Sequence, residues 1–276
     1  MRTNHSDPMQ ISEGELQRAT ADLDEFHNET FPSFQQSLTT WADEARAHTQ
    51  RISSKVASRR TFLMGSGVVV GGVALAACGS SKKSSSTTTT SGGSSTTGAA
   101  GGAFSGDAEV AATAASLENL AVAAYTMGLA AATAGKLGAV PPAVATFAMT
   151  AKAQHTAHAG AFNAVVTAAG KPMVTKPDPA VLPAVQTAFG KVTNVTGLAM
   201  LALELENEAA NTYLSDLGMD LKSSQLIGAL ATIQPVERMH VSILYFVLGQ
   251  YPVPETFQMA NIPSGDAARP PTDINM

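Results

Sequence analysis

One cysteine, one tryptophan and four tyrosines in 276 residues set the first limits on this chain. Cys78 has no thiol partner, and no cysteine follows it, so residues beyond it cannot be held by disulfides and must rely on packing. Charged residues make up only 14% and the formal net charge is −5, which gives no attraction to a polyanion. There is no basic, aromatic-rich patch for nucleic acid and no phosphate-cradling glycine loop between a strand and a helix. The glycines of Gly92–Gly102 have no strand before them and read as linker. No stretch alternates apolar and polar residues as a strand does, so the fold is expected to be all-α. The apolar run from Phe62 to Ala77 is shorter than the ~20 residues a membrane-crossing helix needs.

What the chain does have is an internal repeat. Leu117-Glu118-Asn119 is followed by Tyr125, and Leu205-Glu206-Asn207 by Tyr213, each tyrosine seven residues after its glutamate. Each half then carries a pair spaced i, i+3: His155 with His158, and Glu237 with His240. Residues three apart share a helix face, so both members of a pair can reach one point. The neighbours at helical spacing are apolar: Ala114, Val122 and Tyr125 around Glu118; Ala199, Ala202 and Ala210 around Glu206; Ala151 and Phe162 around the histidine pair; Leu230, Ile233 and Leu244 around Glu237 and His240. Ionisable groups on an apolar stripe are costly to bury without partners. Three carboxylates and three imidazoles converging from four helices can satisfy one another through a metal, as in the core of a metal-binding four-helix bundle. A metal-free polar core is the alternative. Glu204 and Glu208 share their stripe with Asn211 and Ser215 and read as solvated. Packing alone accounts for Tyr125 and Tyr213; their second reading is as hydrogen-bond donors to ligand carboxylates.

Four helices are predicted at about 107–135, 141–169, 193–216 and 221–249. Pro141 and Pro142 suit a first turn, and Pro235 predicts a kink or break in the last helix. Residues 171–191, with four prolines, are too long for a tight turn and suit a crossover between the second and third helices.

The phrase Leu117–Tyr125 and the Glu237-x-x-His240 spacing resemble the ferritin-like superfamily, specifically secreted or lipid-anchored ferritin-like domain proteins of bacteria, over about residues 107–250. The resemblance implies a bundle with a glutamate on the first and third helices and a Glu-x-x-His on the second and fourth. The implied metal ligands are then Glu118, His155, His158, Glu206, Glu237 and His240, with Tyr125 and Tyr213 around them. His155 departs from the pattern, standing where a bridging glutamate belongs. A neutral imidazole offers one lone pair where a carboxylate offers two oxygens, so one bridge and one negative charge are lost. The implied cofactor is iron or manganese, mononuclear or dinuclear, with oxidation by dioxygen or peroxide as the associated chemistry. The change at His155 equally suits a scaffold or binding module that has lost its metal.

Residues 58–78 concern address. Ser58-Arg59-Arg60-Thr61-Phe62-Leu63 resembles a twin-arginine export signal, and Leu75-Ala76-Ala77-Cys78 resembles a lipobox. Export by that machinery, followed by lipid attachment at Cys78, would hold the protein at the extracytoplasmic face of the cell membrane. The Ser/Thr/Gly-rich stretch 79–106 has no apolar period and is expected to be a tether of ~30 Å r.m.s. length. Residues 251–276, with five prolines, are expected to run as an extended tail. Residues 1–57 are a long preface for a signal peptide. They are expected to be a cytoplasmic extension absent from the mature protein, or to precede a later start of translation. Beyond the export machinery, the sequence does not identify a protein partner.

Overall fold

The computed structural model describes residues 11–65, 104, 106–217 and 221–251. The expected tether, the lipobox-like Leu75–Cys78 and the tail expected beyond residue 251 lie outside the described residues. Six α-helices and no strand occur among the described residues: α1 (Glu13–Gly65), α2 (Asp107–Thr133), α3 (Pro142–Ala168), α4 (Leu182–Phe189), α5 (Val195–Ser215) and α6 (Ser224–Val247). Among them, none is long and apolar enough to cross a membrane.

Helices α2, α3, α5 and α6 are the four expected from the sequence, arranged as two hairpins, α2 on α3 and α5 on α6. Their ends follow local chemistry. Pro142 opens α3 from the extended Pro141, while Asn194 and Ser223 cap α5 and α6 by accepting from Gly197 N and Leu226 N. Gly135 and Gly170 close α2 and α3 at φ 70° and 73°, where a side chain would be strained. The first half of α2 is buried nearly all round, from Val110 to Leu117; its alanines permit close approach by neighbouring helices. α6 runs through Pro235 without a break, and the ring costs it the amide that would have bonded the carbonyl of Ala231.

The crossover from 169 to 194 is pinned rather than loose. Asn163 donates to Val174 O at 2.9 Å and accepts from Val174 N at 2.7 Å, and Asn119 donates to the same carbonyl. Asp178, fully buried, receives Ala180 N and Val181 N, which starts the short helix α4.

Residues up to Arg46 belong to the same compact unit as residues from 102 onward, whereas residues 47–101 form a second unit. Ser12 and Glu15 form a capping box at the start of α1. From there Leu16, Thr20, Leu23, His27, Phe34, Leu38 and Ala42 form a buried stripe at helical spacing. Glu13 accepts from the backbone of Ala143 at the start of α3, placing a carboxylate at a helix N-terminus. Gln154 donates to Asp24, and Gln225, at the start of α6, donates to Glu44. The first half of α1 therefore runs parallel to α3 and antiparallel to α6.

Candidate metal centre

Four helices each place one or two ionisable side chains at the middle of the bundle. Glu118 comes from α2, His155 and His158 from α3, Glu206 from α5, and Glu237 and His240 from α6. All six are at most 2% exposed. They form two overlapping groups of four: Glu118, His155, His158 and Glu237, and His155, Glu206, Glu237 and His240. Within each group one donor atom per residue lies within 4.8 Å of all the others. Glu204 and Glu208 are in neither group.

His155 and Glu237 join the two groups. His155 Nδ1 is 2.7 Å from Glu118 Oε2, and its Nε2 is 3.1 Å from Glu206 Oε1. Glu237 turns Oε1 toward His158 Nδ1 at 3.5 Å and Oε2 toward His240 Nδ1 at 3.3 Å. His240 Nδ1 is also 3.3 Å from Glu206 Oε2. Glu237 thus has the two outward oxygens of a bridging ligand. His155 spans the same two groups, but with a nitrogen facing each way. A neutral imidazole can fill only one of those roles.

The tyrosines pair crosswise. Tyr125 on α2 donates to Glu206 Oε1 of α5 at 2.5 Å, and Tyr213 on α5 donates to Glu118 Oε1 of α2. Each repeat therefore supplies the hydrogen bond to the other repeat's carboxylate. The asparagines differ: Asn119 holds the crossover, whereas Asn207 accepts from Arg238 of α6.

Electrostatics follow from burial and these contacts. Burial raises Tyr125 and Tyr213 well above the usual phenol range, reinforced by the Glu206 and Glu118 carboxylates, so both remain protonated donors. Burial alone would raise Glu118, but the His158 and His155 imidazoles bring it down to about 2. Glu206 is likewise held well below the carboxylate range against its burial, by His155 and His240. Burial opposes charge on the histidines too. Glu206, Glu237 and Glu118 nonetheless hold His155 well above 6.5, Glu118 raises His158, and Glu206 lifts His240 to about 9. Three imidazolium ions can therefore balance three carboxylates when no ion is bound.

Two atoms of this ion-pair network make no hydrogen bond. His158 Nδ1 and Glu237 Oε1 are buried without a hydrogen-bond partner, 3.5 Å apart. Unpaired buried donors and acceptors are expensive, and an oxygen and a nitrogen aimed at one region suit a shared cation. Mixed carboxylate and imidazole donors fit iron or manganese.

Two further polar residues border the centre that the repeat and its spacings do not single out. His27 of α1 is 6% exposed with both ring nitrogens unpartnered, stacked on Phe31 at 4.8 Å and 5.1 Å from the His158 ring. Burial and the His158 charge lower it to about 4, so it is neutral at pH 7. Its position on the stripe from Leu23 to Leu38 was the available signal. Gln154, beside His155, is buried and accepts from His240 Nε2 at 2.8 Å through Oε1. An apolar cavity of about 70 Å³, bordered by Tyr125, Gly128, Phe147, Leu198 and Ala202, reaches Glu206.

No curated protein and no solved structure matches the chain. The model of the ferritin-like domain matches residues 106–250, more than half of the chain and the span that carries all six buried donors. The chain belongs to the ferritin-like domain family.

Proposed function

We propose that this protein binds iron or manganese in the centre of its bundle and is held by a lipid on Cys78 at the extracytoplasmic face of the cell membrane. The observation that carries the metal reading is the pair of four-residue donor groups joined by Glu237 and His155. Glu118, His158 and Glu237 would hold one ion. Glu206, His240 and Glu237 would hold a second, with His155 committed to one of the two. Bound iron would supply one-electron chemistry toward dioxygen or peroxide. The surrounding residues would do the rest: Tyr125 and Tyr213 orient the carboxylates, Phe147 and Leu244 exclude water, and the apolar cavity offers space to a small apolar oxidant next to Glu206.

The test is anaerobic titration of the full chain with Fe(II) or Mn(II), followed by elemental analysis. Glu206→Gln and Glu237→Gln should each lower the metal-to-protein ratio while circular dichroism retains the helical signal. Glu204→Gln, at an exposed position, should leave it unchanged. A metal-free wild type would favour a second reading, a scaffold whose polar core needs no ion. The specific support for that reading is His155, which as an imidazolium already links Glu118 to Glu206 where a cation would otherwise stand.

The address rests on the twin-arginine and lipobox resemblances of Arg59-Arg60 and Leu75–Cys78. Cys78→Ala should abolish lipid labelling. Replacing Arg59 and Arg60 with lysines should block export, because the machinery reads the pair rather than the charge. Normal export of the double variant would assign the protein to another route.

A further inference from the structure

Gln154 precedes His155 on α3 but serves a different helix. Its side chain is 2% exposed and lies between His240 of α6 and Asp24 of α1. Its Nε2 donates to Asp24 Oδ1 at 3.2 Å, and its Oε1 accepts from His240 Nε2 at 2.8 Å. Chemistry fixes the direction of this chain of bonds. A carboxylate only accepts, so the amide NH₂ must face Asp24 and the amide oxygen must face the imidazole. His240 must then present its proton on Nε2. That leaves Nδ1, 3.3 Å from Glu206 Oε2 and from Glu237 Oε2, as the nitrogen whose lone pair is available once its own proton leaves. Without the carboxylate the amide is free to turn over. Its NH₂ would then face Nε2 and favour the tautomer with a proton on Nδ1, pointing into the donor group.

We infer that Asp24 is a positioning residue for the metal centre, acting through Gln154 to fix the tautomer in which His240 turns its Nδ1 lone pair toward Glu206 and Glu237. This rests on the metal reading above and extends it to a helix outside the residues 106–250 that match the family. Asp24 is itself held in place. Its Oδ2 accepts from Asn28 at 3.2 Å, and the buried Leu23 and His27 anchor the helix on either side. A histidine ligand whose second nitrogen is tied to an oriented acceptor keeps its ring direction and basicity. Asp24 precedes Cys78 in the chain, whereas all six donors follow it.

The test is Co(II) titration of the full chain under argon, read from the visible d–d bands that report nitrogen ligation. Asp24→Ala should weaken Co(II) binding ~10-fold, the lower end for a residue that orients a ligand. Asp24→Asn, whose amide can turn either its oxygen or its NH₂ toward Gln154, should recover only part of the loss. Gln154→Glu places an acceptor on His240 that cannot turn over into a donor, so adding Asp24→Ala to it should cause no further weakening. In the Zn(II)-loaded chain, ¹⁵N resonances should show His240 protonated at Nε2 in the wild type and a mixture of tautomers in Asp24→Ala. Equal weakening by Asp24→Ala in both backgrounds, or none in either, would overturn the inference. Failure of the unsubstituted chain to take up Co(II) would instead overturn the metal reading, and this inference with it.

Discussion

Tyr125 donates to Glu206 across 81 residues of sequence, at 2.5 Å, inside the buried core. Its counterpart Tyr213 donates to Glu118. The two bonds tie the hairpins together crosswise, so neither repeat has a complete set of carboxylate contacts alone. Tyr125→Phe and Tyr213→Phe should each destabilise the chain by about 1–3 kcal/mol, the range for removing a hydrogen bond to a buried charged group. Urea unfolding of the two variants measures this. A silent Tyr125→Phe would reduce that tyrosine to packing.

His155→Glu should separate the two roles of its position. The variant has four carboxylates and two imidazoles, which suits two divalent ions but leaves the ion-free core with an excess of negative charge. We expect the ion-free variant to be less stable than wild type by about 3–5 kcal/mol and to load iron toward two ions per chain. Iron titration under argon, with chemical denaturation of both forms, provides the comparison. No gain in iron over wild type would mean that His155 does not hold the bridging position.

The pH dependence has opposite signs with and without metal. In the folded chain His240 is raised to about 9 from 6.5, so its contribution is fully present below pH 6.5 and is lost as pH rises through about 9. Glu118 is lowered to about 2 from 4.5, so its contribution is present above pH 4.5 and is lost as pH falls through about 2. The ion-free protein should therefore be most stable between those limits, and its melting temperature should fall from pH 6 to pH 9.5. A metal ion must displace the histidine protons, so its stabilising effect should grow over the same interval. Thermal melts with and without Mn(II) at both pH values check the crossing.

Leu23 and Phe34 are fully buried though they precede the export-like signal. Phe34 sits edge-on to Phe162 of α3 at 5.4 Å and beside His158 at 6.0 Å. Leu23→Ala should cost about 2–5 kcal/mol and Phe34→Ala about 3–5 kcal/mol in the full chain. Surface-like losses below 0.5 kcal/mol would show that α1 adds little to the folded domain.

Much of the bundle was legible because its signals are local. Proline at the start of α3, the glycines after α2 and α3, and pairs spaced i, i+3 act within one or two turns, so the helix limits and the shared face of His155 with His158 follow from short stretches of chain. Pro235 lies inside α6, which continues past it without a break at the loss of one backbone hydrogen bond. The buried residues of α1, from Leu16 to Ala42, recur at helical spacing, but amphipathic spacing says that a face is buried and not against what. Long-range contacts such as Phe34 with Phe162 and Asp24 with Gln154 decide what that face packs against. The same reason governs the centre. Spacing along the chain determined which side chains share a face. Tertiary structure decided that Tyr125 reaches Glu206 and that Gln154 stands between Asp24 and His240, because those contacts depend on how helices are placed against one another, and no short-range pattern encodes that placement.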